Sequence, residues 1–298
     1  FYLAFTISMI ALFIRYKTRE AQLKMDLQLK QMEKQNIELS HNMGVQMFTN
    51  FSHELRTPLT LIIAPLTDLL HKEDMPQEYR QSLELINRNS QRLLWLVNRL
   101  MDFHKLEAGK MQLHVGNYNL GTYIPEIIRL FMPVAEKKNI SIEFNDTTSS
   151  TDIWFDAILL EKVFFNLISN SLKHTPNGGY IIISSMETNS EDIQKPESLN
   201  LPAGKALLIK VETGSGIPAN MMPRIFEAFF QAGEKVLGSG IGLNLTKSII
   251  ELHGGRIWID NKEGHGMTVS FTLPLGKDSY TENQLLSKDK IIKSAHAY

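Results

Sequence analysis

Two helical stripes at near-heptad spacing constrain this 298-residue chain more than any other feature. The stretch FTNFSHELRTPLTLIIAPL, residues 48–66, opens the first: Phe48, Phe51, Leu55, Leu59, Ile62, Leu66 and Leu69 fall close to one line at about 100° per residue. After a break at HKEDMP, residues 71–76, a second helix reaching to about Gly109 carries Leu83, Ile86, Ser90, Leu93, Val97 and Leu100. Two helices cannot bury two such stripes alone, and closure of two copies into a four-helix bundle is the usual solution. His53 lies about 160° from the first stripe, on the outward side, with Glu54 next to it and Thr57 one turn on. An exposed histidine with an adjacent carboxylate is chemically available. Pro58 and Pro65 remove backbone donors and are expected to bend the helix just after His53.

Upstream, FYLAFTISMIALFI is an apolar run of 14 residues followed by RYKTR. A membrane span needs about 20 residues, so residues 1–16 read as the end of a transmembrane helix. Arg15, Lys17 and Arg19 favour the cytoplasmic side for the rest of the chain, and the alternative is a short buried helix. Residues 17–44 then carry Met25, Leu29, Met32, Asn36, Leu39 and Met43, a heptad seam with an Asn inside it. A dimeric coiled-coil signalling helix is expected there, running into the two-stripe segment, residues 45–110. The alternative is a solvated linker helix.

From about residue 115 the texture changes. SIEF, YIIISS, ALLIKV, RIWID and TVSFTL read as strands, with helices near 122–138, 156–173 and 243–253. This mixture implies a layered α+β domain over residues 115–276, with helices packed on one sheet face. Residues 187–205 read as a surface hairpin loop, and 277–298 as a polar tail or linker. The absence of cysteine excludes a disulfide framework and a thiol nucleophile. A net charge of −1 offers no global basic field for nucleic acid, and no zinc-like ligand spacing is present.

Three stretches of the second half carry chemistry. In NLISNSLKHT, Asn166, Asn170 and Lys173 share a helical face, where amide oxygens suit Mg²⁺ and an ammonium suits phosphate; a polar solvent face is the alternative. GSGIGL supplies Gly238, Gly240 and Gly242 before a helix, so backbone amides could approach an anion, or simply form a tight turn. VETGSGIP ends a strand and turns through Gly214 and Gly216; Glu212 just before them could accept from an adenine amino group, or stand exposed at a plain turn. RIFEAFF, residues 224–230, is aromatic at helical spacing, which reads as core packing.

Taken together and in order, these stretches resemble the sensor histidine kinases of two-component systems over residues 20–276. FSHELRTPLT resembles the phosphoacceptor box. NLISNSLKHTPNGG, VETGSGIP, RIFEAFFQ and GSGIGLNLTKSIIELHGG resemble the N box, first glycine box, F box and second glycine box. The phrasing around His53 is most similar to the hybrid sensor kinases of Bacteroidetes.

The resemblance implies a dimeric four-helix-bundle phosphoacceptor domain over residues 45–110, followed by an α/β-sandwich ATP-binding domain. It implies that His53 takes the γ-phosphoryl of ATP, that Glu54 polarises its imidazole as base, and that Thr57 serves the reverse reaction. Asn166 and Asn170 would hold Mg²⁺ and phosphates, Lys173 would contact phosphate, and Gly238, Gly240 and Gly242 would cradle the triphosphate under a lid. The implied partners are a second copy of the chain and a response-regulator receiver domain. The implied location is the inner (cytoplasmic) membrane, with residues after about 16 in the cytoplasm and no direct nucleic-acid contact. Three departures stand out: Glu212 in place of the family's Asp before Thr-Gly, a short segment between Phe230 and Gly238, and Ala228 where a Pro is common. Counted from the strand instead of the glycines, one residue is missing. A catalytically weak pseudokinase acting as a conformational relay is the main alternative. An ATP-driven chaperone or topoisomerase module is a more distant one.

Overall fold

The computed structural model describes residues 54–71, 76–148, 153–193, 204–213, 218–231, 240–262 and 266–286, with scattered positions before 33 and between 195 and 216. The chain divides into two compact units, Phe1–Gly109 and Lys110–Tyr298.

The first unit contains a helical hairpin. Helix α1 is described over residues 54–70 and passes through both Pro58 and Pro65. Helix α2, Gln77–Glu107, starts directly after Pro76, whose fixed φ of −56° pre-organises the first turn. It ends at Gly109, whose φ of +62° and N–H donation to Leu106 O close the last turn as a left-handed glycine does. His104 and Lys105 lie in that last turn, where the helix dipole favours cations. Two side chains fix the hairpin antiparallel: Arg56 Nη2 donates to Asn98 Oδ1 at 2.8 Å, and Arg80 Nη1 caps α1 by donating to Leu70 O at 2.9 Å. Leu59, Leu66 and Val97 of the two stripes are buried, whereas Ile62, Ile86 and Leu93 remain 45%, 47% and 48% exposed. Among the described residues no helix is long and apolar enough to cross a membrane. The expected membrane segment and most of the coiled-coil seam lie outside the described residues.

The second unit runs β1 (Gly116–Tyr118), α3 (Leu120–Lys137), β2 (Ser141–Asp146), β3 (Ile153–Phe155), α4 (Ala157–His174), β4 (Tyr180–Asn189), β5 (Lys205–Thr213), α5 (Gly242–Leu252), β6 (Ile257–Lys262) and β7 (Gly266–Pro274). Five strands form one sheet in the order β2-β4-β5-β7-β6, parallel only between β2 and β4; β1 and β3 pair separately. Alternation within β5 sends Leu207, Ile209 and Val211 to the helix-covered core with Phe164 and Leu167 of α4, all at most 2% exposed. Asn119 and Asp156 cap α3 and α4, accepting from Thr122 N–H and Leu159 N–H.

Three expectations need correction. The 187–205 segment is more than a surface loop: β4 and β5 extend into it, and its Ile193 joins Leu208 and Trp258, with Leu199 and Leu201, in a small apolar cluster. RIFEAFF is not helical core, because Phe229 adopts φ +65° and is 60% exposed, breaking the periodic run. Nor do residues 277–286 form a loose tail. The Val115 N–H donates to Gln284 O at 2.7 Å, the Leu286 N–H donates to Val115 O at 2.8 Å, and the buried Tyr280 donates to Trp154 O at 3.1 Å. The apolar Tyr280 and Leu285 and the open edge at Val115 explain this docking, which average polarity concealed.

Candidate functional site

On α1, Leu59 and Leu66 face inward while Glu54 and Thr57 are exposed, as expected for the outward side of the helix. His53, immediately before, lies outside the described residues. Arg56, which the sequence pattern did not single out, ties this end of α1 to α2 through Asn98 and so fixes the presentation of Glu54 and Thr57.

In the second unit a site assembles where α4 meets the start of α5. The two helices run antiparallel. Asn166 of α4 donates from Nδ2 to Gly242 O at 3.3 Å and to Thr246 Oγ1 at 3.4 Å, while at the other end Asp156 N–H donates to His253 Nε2 at 3.1 Å. Because Gly242 O can only accept, the Asn166 amide is oriented with its oxygen pointing away. That oxygen, Oδ1, is buried and receives no hydrogen bond from the described residues. An unpaired buried amide oxygen is costly, and a hard cation is one group that satisfies it. The residues therefore fit Mg²⁺. Asn170 is half-buried and Lys173 exposed, so the expected polar face climbs from interior to rim.

Helix α5 begins at Gly242 with no side-chain cap and no acidic residue in its first turn. Uncapped first-turn amides and the positive end of the helix dipole suit an anion. Gly240 is required just before it: φ is +69°, and a Cβ there would lie 2.5 Å from the Phe229 carbonyl carbon. The two backbones are joined by Phe229 N–H donating to Gly240 O at 3.0 Å. Asn244 Nδ2 donates to Phe226 O at 3.0 Å, so the 224–230 segment is fastened to the first turn of α5. Asn244, Thr246 and Phe229 were not anticipated; the polar residues just beyond GSGIGL were the available signal. Gly214 and Gly238 lie outside the described residues, and Gly216 is half-buried.

Glu212 does not join this site. β5 pairs with β4 and β7 without a bulge from Ala206 to Thr213, so Glu212 shares the Leu208 side of the sheet, away from the helices. Thr213, 4% exposed, takes the covered side at that strand end.

Residues 45–109 match the His Kinase A (phospho-acceptor) domain, and residues 155–277 match the Histidine kinase-, DNA gyrase B-, and HSP90-like ATPase domain. "Histidine kinase P4" of Formosa agariphila is 34% identical over 299 residues, covering 98% of this chain and 21% of its own. The chain belongs to the sensor histidine kinases. "Hybrid signal transduction histidine kinase D" of Dictyostelium discoideum is 38% identical over 77% of this chain and 15% of its own, so this family member spans about a fifth or less of those relatives. The fold is shared with full-length ShkA, solved in complex with AMPPNP, at a TM-score of 0.62, 23% identity and coverage of 78% of this chain and 46% of that one. It is shared also with the Acinetobacter baumannii histidine kinase AdeS, at a TM-score of 0.51, 21% identity and coverage of 76% and 98%.

Proposed function

We propose that the chain is the catalytic core of a dimeric kinase that transfers the γ-phosphoryl group of ATP to a ring nitrogen of His53 and then donates it to a receiver domain. The observation that carries this reading is the buried, unsatisfied Asn166 Oδ1 beside the uncapped start of α5. Phosphoryl transfer depends on positioning and charge neutralisation, and these groups supply both. Asn166, with Asn170 one turn on, would hold Mg²⁺, which supplies positive charge against the triphosphate oxygens. The α5 amides and Lys173 hold phosphate. In the transfer the bond from the γ-phosphorus to the ADP oxygen breaks, an N–P bond to His53 forms, and Glu54 takes the imidazole proton. Thr57 is read as serving the reverse reaction.

The half-exposed Ile62, Ile86 and Leu93 support pairing with a second copy, whose stripes would cover them. Relay to an aspartate of a receiver domain, anchorage in the inner membrane through residues 1–16, and signalling through a coiled coil over 17–44 rest on the sequence and the family resemblance. The position of Glu212 off the site favours a second reading, a weak kinase acting mainly as a conformational relay.

Incubation of the whole chain with γ-labelled ATP and Mg²⁺ tests the first reading. Acid-labile, base-stable protein-bound label is expected. Inorganic phosphate released with no labelled protein, or no turnover at all, would overturn it.

A further inference from the structure

Residues 277–286 hold both strands of the small β1–β3 sheet, and that sheet is bonded to the two helices of the proposed triphosphate site. The segment has bonds of its own: Tyr280 N–H donates to Lys277 O at 3.0 Å, and Thr281 N–H to Gln284 Oε1 at 2.9 Å. It grips the residue before β1 through the two backbone bonds with Val115, and it grips β3 through Tyr280, whose hydroxyl donates to Trp154 O. His114 and Asp156 adjoin these grips, one residue before Val115 and two after Trp154. They are bonded to each other, His114 N–H to Asp156 Oδ2 at 2.7 Å. Leu113, Val115, Phe155 and Asp156 are at most 3% exposed, which leaves little slack. Asp156 in turn caps α4 through Leu159 N–H and donates its own N–H to His253 Nε2 at the end of α5. Further along the same two helices, Asn166 meets Gly242 and Thr246. An unbroken run of bonded groups therefore leads from Leu286 to the first turn of α5.

We propose that residues 277–286 are a strap whose docking is coupled to nucleotide binding: a nucleoside triphosphate at α5 tightens the strap, and release of the strap weakens the nucleotide. The inference rests on the triphosphate reading given above. The strap is the two-state element. Releasing it breaks two backbone bonds and exposes the buried Tyr280, whereas none of the pairings of the five-stranded sheet involves it. Coupling arises from shared ordering. A triphosphate on the uncapped start of α5 fixes that helix against α4, and the docked strap fixes His114 and Asp156 at the other end of the run. Whichever forms second finds part of the ordering already done. By linkage the effect is the same in both directions. A segment that merely braced the small sheet would add stability and leave nucleotide affinity unchanged.

Hydrogen–deuterium exchange of the whole chain, with and without AMPPNP and Mg²⁺, tests this without any variant. The Val115 and Leu286 amides are expected to exchange at least about fivefold more slowly with nucleotide bound. Thr147 N–H, bonded to Ser185 O at the β2 edge, is expected to be unchanged. Leu286→Pro supplies the reciprocal arm, because it removes the donor to Val115 O and no buried side chain. Leu285, at φ −83° and ψ 135°, already has the conformation that precedes a proline. By calorimetry this variant is expected to bind AMPPNP at least about fivefold more weakly. Protection of the first turn of α5 without protection of Val115 and Leu286, equal slowing at Thr147, or native affinity in Leu286→Pro overturns the proposal while leaving the triphosphate reading intact. No protection anywhere, with no binding, overturns that reading and the proposal with it.

Discussion

Asp156 and His253 join the N-terminus of α4 to the C-terminus of α5 through one backbone-to-ring hydrogen bond, Asp156 N–H to His253 Nε2 at 3.1 Å. On its other side His253 Nδ1 lies 2.7 Å from Ile249 O, and since a carbonyl only accepts, Nδ1 carries the hydrogen and Nε2 is bare. Only a neutral ring satisfies both contacts. The Asp156 carboxylate in turn accepts from His114 N–H at 2.7 Å and Leu159 N–H at 3.0 Å. This joint holds the two helices in register, so that Asn166 meets Gly242 and Thr246 at the far end.

Burial holds the His253 pKa below its ordinary value, against smaller opposing effects of the Ile249 carbonyl and Asp156. The unfolded chain therefore takes up this proton first as pH falls. Stability from this site is complete above about pH 6.5, declines as pH drops below that value, and levels off under the depressed folded pKa. His174 is lowered as well, by burial and then by Lys173 and Lys138, and has the same sign. Melting temperatures in a His174→Gln background are expected to fall on acidification from pH 8 to 5, and adding His253→Gln is expected to flatten that fall. An unchanged slope in the double variant would count against a neutral, buried His253.

Asn166→Ala removes the unsatisfied oxygen together with two long hydrogen bonds. Mg²⁺-dependent nucleotide binding is expected to drop by about a hundredfold, with the melting temperature lowered by only a few degrees, about 1 kcal/mol. Titration of AMPPNP with and without Mg²⁺ checks this; a variant in which added Mg²⁺ still strengthens binding as in the native chain would contradict the assignment.

Gly240→Ala places a methyl 2.5 Å from the Phe229 carbonyl carbon at a φ of +69°. The left-handed conformation alone costs about 1–2 kcal/mol, and the contact forces the 224–230 segment off α5. Thermal melting is expected to drop by roughly 3–8 °C, with nucleotide affinity falling in parallel.

Ending the chain at Gly276 removes the Val115–Leu285 bridge and Tyr280. A loss of several degrees in melting temperature is expected, whereas Tyr280→Phe, which removes one hydrogen bond, costs about 1 kcal/mol. Equal melting of the truncated and full chains would mean that the 277–286 segment contributes nothing to the second unit.

The elements that were legible in sequence are those with a long periodic run. Helices α3, α4 and α5 begin and end within two residues of their expected bounds, because their apolar spacing marks them. β1 and β3, with three residues each, are too short to show a period. Asn166 was singled out in sequence because a helical face gathers it with Asn170 and Lys173; its buried, unsatisfied Oδ1 is visible only in the structure. The face taken by Glu212 was not legible, because a strand's period of two makes one residue of difference between the strand count and the glycine count a change of face. The docked segment after Gly276 was missed because its few apolar residues bind an edge exposed only once β1 and β3 have paired.

Of the nine histidines of the chain, His53 is the one proposed to accept the phosphoryl group. The most direct test is phosphopeptide mapping at neutral pH after incubation with ATP and Mg²⁺, beside a His53→Gln copy. Phosphohistidine at His53 alone, and none in the variant, is expected. Phosphate on another histidine, or undiminished labelling of His53→Gln, would contradict it.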